Sequence, residues 1–312
     1  MIIRQEPCRG LLAAEWGILA YLAFTLVLMA WMWDRLVNPE AMLTGRLQYL
    51  AATAAAIGVY RLYPCRLTHF ARIAVQLSFL GWWYPDTYEL NRLLPNLDHL
   101  FAAAEQHIFG CQPSLLFSQA VPYAWFSELM CLGYVSYFPL IVTVCLYYFL
   151  ARYREFNMAA FVILTAFFLY YVIFVLVPVT GPQFYYLAAG TDRIAAGVFP
   201  DVGNWFLTHS ERMAPPGWSG GLFYHLLDMA HDAGERPTAA FPSSHVGITT
   251  ILMLLALRTR SRWLTLAMLP FYVLMCMATV YIYAHYAIDV IAGLITGTIF
   301  YLALSRLYQK QG

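Results

Sequence analysis

Eight apolar stretches set what this chain can fold into, at about residues 11–33, 46–63, 68–84, 126–150, 157–178, 243–257, 263–282 and 285–307. Most approach the roughly 20 residues a helix needs to cross the hydrocarbon of a bilayer. Charge is correspondingly scarce: 11% of the 312 residues are charged and 61% are hydrophobic. Soluble domains are nearer a quarter charged and half apolar, so a soluble fold of this composition lacks the polar surface to cover itself. Disorder is excluded because too much must be buried. The runs are continuous rather than alternating, which disfavours an outer-membrane barrel. The expected fold is therefore an all-α integral membrane protein. The first stretch is too long for a cleaved signal, and no small-residue cleavage site follows before Trp31. The stretch 68–84 carries Arg72 and Gln76 and also suits a tilted or interfacial helix.

The distribution of charge suggests an orientation. With the N-terminus inside and eight alternating spans, 12 of the 18 cations fall on the inner side, among them Arg4, Arg9 and Lys310, and only Glu6, Glu15 and Glu155 of the 17 acids do so. The short loops Ala151–Phe156 and Thr259–Arg262, with Arg258 at the edge of the second, carry five arginines. By the positive-inside rule both termini are then cytoplasmic, with seven or six spans as the alternative if 11–84 reads differently. Two long segments, Pro85–Trp125 and Thr180–Phe241, project outward, and residues 96–107 read as an amphipathic helix on the interface. No basic run points to nucleic acid. The six cysteines form no close-spaced metal pattern, and no structural disulfide is expected.

Titratable groups at helix edges in such a chain mark functional sites by default, and four places stand out on the outer side. Pro242-Ser243-Ser244-His245 opens the sixth stretch; free N–H groups at a helix start attract anions. A serine cap beside an interfacial histidine is an equal reading. His285 and Asp289, four apart at the start of the last stretch, share a helix face, so the carboxylate can hold the imidazole N–H and leave the other nitrogen as nucleophile or base. Gly181-Pro182 ends the fifth stretch, either as plain punctuation or to let backbone approach a ligand. His225, Asp228, His231 and Asp232 suit a solvated loop helix better than a metal site. Joining the first two places gives phosphoryl transfer, which needs positioning and charge stabilisation above all. His285 attacks phosphorus, His245 protonates the leaving oxygen, and Ser243, Ser244 and nearby N–H groups cradle the equatorial oxygens.

These residues resemble the type 2 phosphatidic acid phosphatase superfamily, membrane enzymes with a six-helix core. Phe241-Pro242-Ser243-Ser244-His245 is similar to its Pro-Ser-Gly-His motif, and His285-Tyr286-Ala287-Ile288-Asp289 to the His-x-x-x-Asp end of its third motif. Leu97-Asp98, Glu105, Phe109-Gly110 and Trp125 resemble bacterial members. The resemblance implies His285 as nucleophile, Asp289 as its orienting partner and His245 as general acid. It divides the chain into N-terminal transmembrane helices (1–84) and a catalytic membrane domain (85–312), the six-helix core carrying about two extra N-terminal spans. The superfamily's Lys-x6-Arg-Pro motif is missing, Gly181-Pro182 standing near its end, and Ala278-Thr279 replaces the Ser-Arg of the third motif. Both losses resemble the inositol phosphorylceramide and sphingomyelin synthases, whose third motif reads His-Tyr-x-x-Asp. Arg193 and Arg236 are then the expected phosphate cations, although a solvated loop charge suits each, and Gly181, Pro182 and Tyr281 are expected around the substrate.

The expected function is thus a metal-independent lipid phosphotransferase, without cofactor, moving a phosphate or phospho-head group from a phospholipid or lipid phosphate to a lipid or alcohol. The alternative is a phosphatase with water as acceptor, acting on phosphatidic acid, a phosphatidylinositol or phosphatidylglycerol phosphate or an isoprenyl pyrophosphate. A transporter would place charges near mid-membrane in several spans, and a structural membrane protein has no use for two histidines at helix starts. The expected setting is a bacterial inner membrane with the site at the periplasmic face, membrane lipids as partners and no obligate protein partner.

Overall fold

A computed structural model describes residues 10–311; Arg4, Glu6, Cys8 and Arg9 lie outside them. The fold is all-helical, 77% helix with no strand among the described residues. The N-terminal part holds α1 (Ala13–Met32), α2 (Pro39–Leu62), α3 (Arg66–Ser78) and α4 (Leu80–Asn91). Two short helices follow, α5 (Asp98–Phe109) and α6 (Pro113–Ala120), then α7 (Ala124–Val135), α8 (Tyr137–Ala151) and α9 (Phe156–Leu176). The second long connection carries α10 (Pro182–Ala189), α11 (Thr191–Ala195) and α12 (Leu222–Gly234), and the chain ends with α13 (Ser244–Arg258), α14 (Arg262–Tyr281) and α15 (Ala287–Gln311).

Among the described residues, four helical segments are long and apolar enough to cross a membrane: Ala13–Arg35, Tyr153–Leu176, Arg262–Tyr281 and Ala287–Lys310. A fifth arises if α7 and α8, bent by 44° at their junction, are one span. By length and composition, then, four or five of the eight stretches qualify as spans. The stretch 68–84 breaks at Phe79 into α3 and α4. α2 has the length of a span but is less apolar, and α13 is apolar with only 15 residues.

The N-terminal polar groups make these helices less apolar; an unpaired polar group away from water is costly, and here each finds a partner inside the protein. Arg46 of α2 grips Asp86 of α4 with two hydrogen bonds of 3.0 and 2.8 Å. Arg72 of α3 pairs with Glu15 of α1, its Nε 2.6 Å from the carboxylate. The Gln76 amide of α3 accepts from Tyr49 Oη and donates to Thr53 Oγ1, both on α2. These charges tie α1–α4 together instead of facing lipid.

The α9 sequence is free of charge and apolar on every side, which suits a helix enclosed by others. It runs through the middle of the protein and packs against α1, α4, α8, α13 and α15. Its 21 residues span about 31 Å at 1.5 Å per residue, so the two ends of the bundle are chemically separate. At one end Glu155 joins Arg152 and Arg258, drawing the two short arginine loops together. The histidines lie at the other.

The most extensive helix pair, α13 with α15, carries the site. Gly247 on α13 meets Gly293 and Gly297 on α15, four residues apart, as small residues do where membrane helices approach closely. A Cβ at Gly293 would lie 2.6 Å from the Ser243 carbonyl oxygen, and one at Gly297 would enter the Gly247 backbone. Gly297→Leu is expected to lower stability by about 2 kcal/mol through overpacking and to reduce turnover. Gly58→Ala, which meets open space, leaves both unchanged. Thermal unfolding in detergent together with lipid-phosphate turnover checks this.

Candidate active site

His245 is the second residue of α13. Ser243 is its N-cap: the hydroxyl accepts from the Val246 N–H at 3.3 Å, and its own N–H donates to the Asp289 carbonyl at 3.0 Å. The starts of α13 and α15 are thereby joined. Ser243 is fully buried; its oxygen accepts the capping N–H, and its O–H is still a donor. Ser244 stands at the first helical position, where its N–H and that of His245 precede the intrahelical ladder. Both donors and the positive end of the helix dipole remain for an anion.

His285 lies in the turn between α14 and α15, just before the helix on which the sequence reading placed it. Its N–H donates to the Thr279 carbonyl at 2.9 Å. Nδ1 is 2.8 Å from the Ala240 carbonyl oxygen. A carbonyl can only accept, so Nδ1 carries the hydrogen and Nε2 keeps its lone pair. This changes the expected role of Asp289. Its Oδ2 accepts from the Tyr286 N–H at 2.9 Å and sits 3.6 Å from His285 Nδ1, too far for a hydrogen bond. The backbone carbonyl sets the tautomer, while the buried carboxylate holds the turn and faces the imidazole electrostatically.

The two imidazoles approach with ring centroids 5.8 Å apart. His245 is enclosed by Tyr134, nearly parallel at 4.6 Å, and Tyr137 at 4.4 Å. Its Nδ1 has no hydrogen-bond partner. The flanking rings fix the imidazole plane.

Behind His285 stands Asp98, the first residue of α5 and wholly buried. Oδ2 accepts from the Thr180 N–H (2.7 Å), Thr180 Oγ1 (2.8 Å) and Asn96 Nδ2 (2.7 Å); Oδ1 accepts from the Gly181 N–H (2.9 Å) and Tyr286 Oη (3.1 Å). Burial pushes this carboxyl up, and the donors from Thr180, Asn96 and Gly181 oppose it. Gly181 has φ +93, and a Cβ there would lie 2.7 Å from the Ala284 carbonyl oxygen and 3.1 Å from Ala240 Cβ. Only glycine lets the chain pass both walls of the His285 turn. Pro182 and Tyr281 are buried; the Tyr281 hydroxyl donates to the Val121 carbonyl at 3.2 Å, so both support the site from within.

The amphipathic helix is inverted relative to a simple interfacial one. In α5, Asp98, Ala102 and Glu105 share the fully buried face, while Leu100 and Ile108 are exposed. Burial pushes the Glu105 carboxyl up to about 8, and Asp289 nearby adds to the rise.

Arg193 is exposed on α11 and Arg236 is exposed with Nη1 on the Glu235 carbonyl; neither makes a described contact with the histidines. Arg212, which the sequence did not single out, is held by Asp228 and Asp232 at 2.7 and 2.9 Å. Those acids therefore serve an ion pair, and His231, pushed down to about 3 by burial, packs edge-on against Tyr134. No set of three or more metal-ligating side chains converges among the described residues. Glu235, at the end of α12, is a further residue the sequence did not reveal. Its Oε1 accepts from Gln183 Nε2 at 3.1 Å, and burial pushes it up to about 7, with His285 and Arg212 opposing.

The PAP2 superfamily model matches residues 98–303, and the chain belongs to that superfamily. The match begins at Asp98 and includes both histidines and Asp289, leaving α1–α4 outside. Membership indicates lipid phosphatase or phosphotransferase activity. No curated protein and no solved structure matches the chain.

Two outcomes follow from this geometry. Asp98→Ala strands five donors and is expected to cost roughly 3 kcal/mol or more; the displaced His285 turn lowers turnover about 100-fold, measured by unfolding and activity on one preparation. Glu105 takes a proton on folding between its ordinary value of 4.5 and about 8. The stability this confers is full below pH 4.5 and is lost as pH rises toward 8. Melting curves from pH 5 to 8.5 should fall for the native protein and stay flatter for Glu105→Gln.

Proposed function

We propose that the protein is a lipid phosphotransferase working through a phosphohistidine on His285. The observation that carries the reading is the bond from His285 Nδ1–H to the Ala240 carbonyl, which leaves Nε2 as the nucleophile beside His245. Nε2 attacks the phosphorus of a lipid phosphate or phospholipid, and the P–O bond to the leaving oxygen breaks as His245 supplies its proton. The first N–H groups of α13 and its dipole stabilise the equatorial oxygens, together with Ser244. Arg193 and Arg236, exposed on the outer segment, supply positive charge. A lipid or alcohol hydroxyl then collects the phosphoryl or phospho-head group, as in the sphingolipid synthases.

Transfer is favoured over hydrolysis because His285 is only 4% exposed, which limits bulk water at the intermediate. The chemistry uses no metal or cofactor. The arginine loops at the far end of the bundle support cytoplasmic termini, a periplasmic site and a bacterial inner-membrane setting by the positive-inside rule. Membrane lipids are the partners and substrates.

The test uses purified protein in nanodiscs, with head-group-labelled phospholipid or phosphatidic acid and a diacylglycerol or ceramide acceptor. Labelled product should require the acceptor, persist in chelator and vanish in His285→Ala. Prompt phosphate release without acceptor would establish the phosphatase instead, and unchanged turnover in His285→Ala would refute the nucleophile.

A further inference from the structure

We propose that Glu235 is the base that takes the acceptor's proton when the phosphohistidine is discharged, an inference that rests on the phosphohistidine reading above. Three carboxylates surround the His285 turn. Asp289 and Asp98 are wholly buried and engaged by backbone or hydroxyl donors. Glu105 is also wholly buried, in α5. None of these three can meet an incoming hydroxyl.

Glu235 differs in exposure. It is half-buried and stands in the chain between α12 and α13. Its position is fixed from two directions. The start of α12 is capped by Glu128 of α7, which accepts from the Phe223 and Tyr224 N–H groups at 3.1 and 2.9 Å. The end of α12 is closed by the Glu235 N–H donating to the His231 carbonyl at 2.8 Å. The side chain accepts from the Gln183 amide, and the Gln183 N–H donates to the Tyr283 carbonyl at 2.8 Å, two residues before His285. One amide residue thus spans from the carboxylate to the nucleophile's turn. The charges of Glu235 and His285 act on each other. Arg212 and Arg236 also face Glu235, as do Tyr84 of α4 and Tyr134 of α7.

The step balances with the groups present. In the first half-reaction His245 gives a proton to the leaving oxygen. In the second, the acceptor oxygen bonds to phosphorus, the P–Nε2 bond breaks, and its electron pair returns to Nε2. The acceptor's proton passes to the Glu235 carboxylate and is then released to reprotonate His245. Net, the donor gains the proton that the acceptor loses. Glu235 is suited to this exchange because its carboxyl titrates at about 7, where a group both takes and releases protons readily. The carboxylate is the active form, so discharge should rise with pH through about 7.

The experiment compares the native protein, Glu235→Gln and Glu235→Asp in nanodiscs with head-group-labelled phospholipid. It follows label on the protein by rapid quench, with and without acceptor. Glu235→Gln should label at close to the native rate but discharge at least about 100-fold more slowly, so labelled protein accumulates, and its discharge should lose the pH dependence. Glu235→Asp, which keeps the carboxylate, should recover part of the discharge rate and the pH limb. Native-rate discharge in Glu235→Gln overturns the proposal. So does a Glu235→Gln or Glu235→Asp protein that melts normally but cannot be labelled, because that places the residue in the first step or in support. A fully active native protein that never carries label overturns the phosphohistidine reading itself, a failure distinct from that of Glu235.

Discussion

One buried carboxylate holds the functional end of this protein together. Asp98 receives five hydrogen bonds from three separate parts of the chain: Asn96, the Thr180-Gly181 corner after α9, and Tyr286 beside His285. A charge with that many donors is stable away from water, and each donor would be stranded without it. The consequences run outward. Gly181 is pinned where it can pass Ala240 and Ala284. Ala240 then presents its carbonyl to His285, and that contact decides which imidazole nitrogen is free for chemistry.

The glycine contact between α13 and α15 provides the second constraint. Backbone against backbone at Gly247, Gly293 and Gly297 brings two helix starts within reach of each other, and the Ser243 N–H to Asp289 carbonyl bond locks them in register. His245 and His285 come from different elements, yet their separation is set by rigid main chain. The outer segment closes over them: α12, capped by Glu128 and held by the Arg212 ion pairs, sets the buried His231 against Tyr134 and ends at Glu235. Preorganisation of this kind matters most for a reaction whose transition state is stabilised by position and charge.

Much of this was legible from residue types. Scarce charge and long apolar runs announced an all-α membrane protein, and the histidines with Asp289 stood out because titratable groups at helix starts are expensive to place. What escaped has physical causes. Ala240 acts through its carbonyl, which every residue possesses, so no side-chain pattern could reveal it. The N-terminal spans are the least legible, because Arg46, Arg72 and Gln76 find partners inside the bundle, and hydropathy cannot tell an inward-paired polar residue from a lipid-facing one. In α5 the same ambiguity reversed the helix: Asp98 and Glu105 seek the protein, and Leu100 and Ile108 face outward.

The central claim is that the Ala240 carbonyl commits His285 Nδ1 and leaves Nε2 to carry the phosphoryl group. The direct measurement is to trap the labelled intermediate by rapid alkaline quench and determine by phosphorus–nitrogen NMR or fragmentation mass spectrometry which histidine, and which nitrogen, bears phosphorus. The account predicts label on His285 at Nε2. Label at Nδ1, or on any other residue, would contradict it.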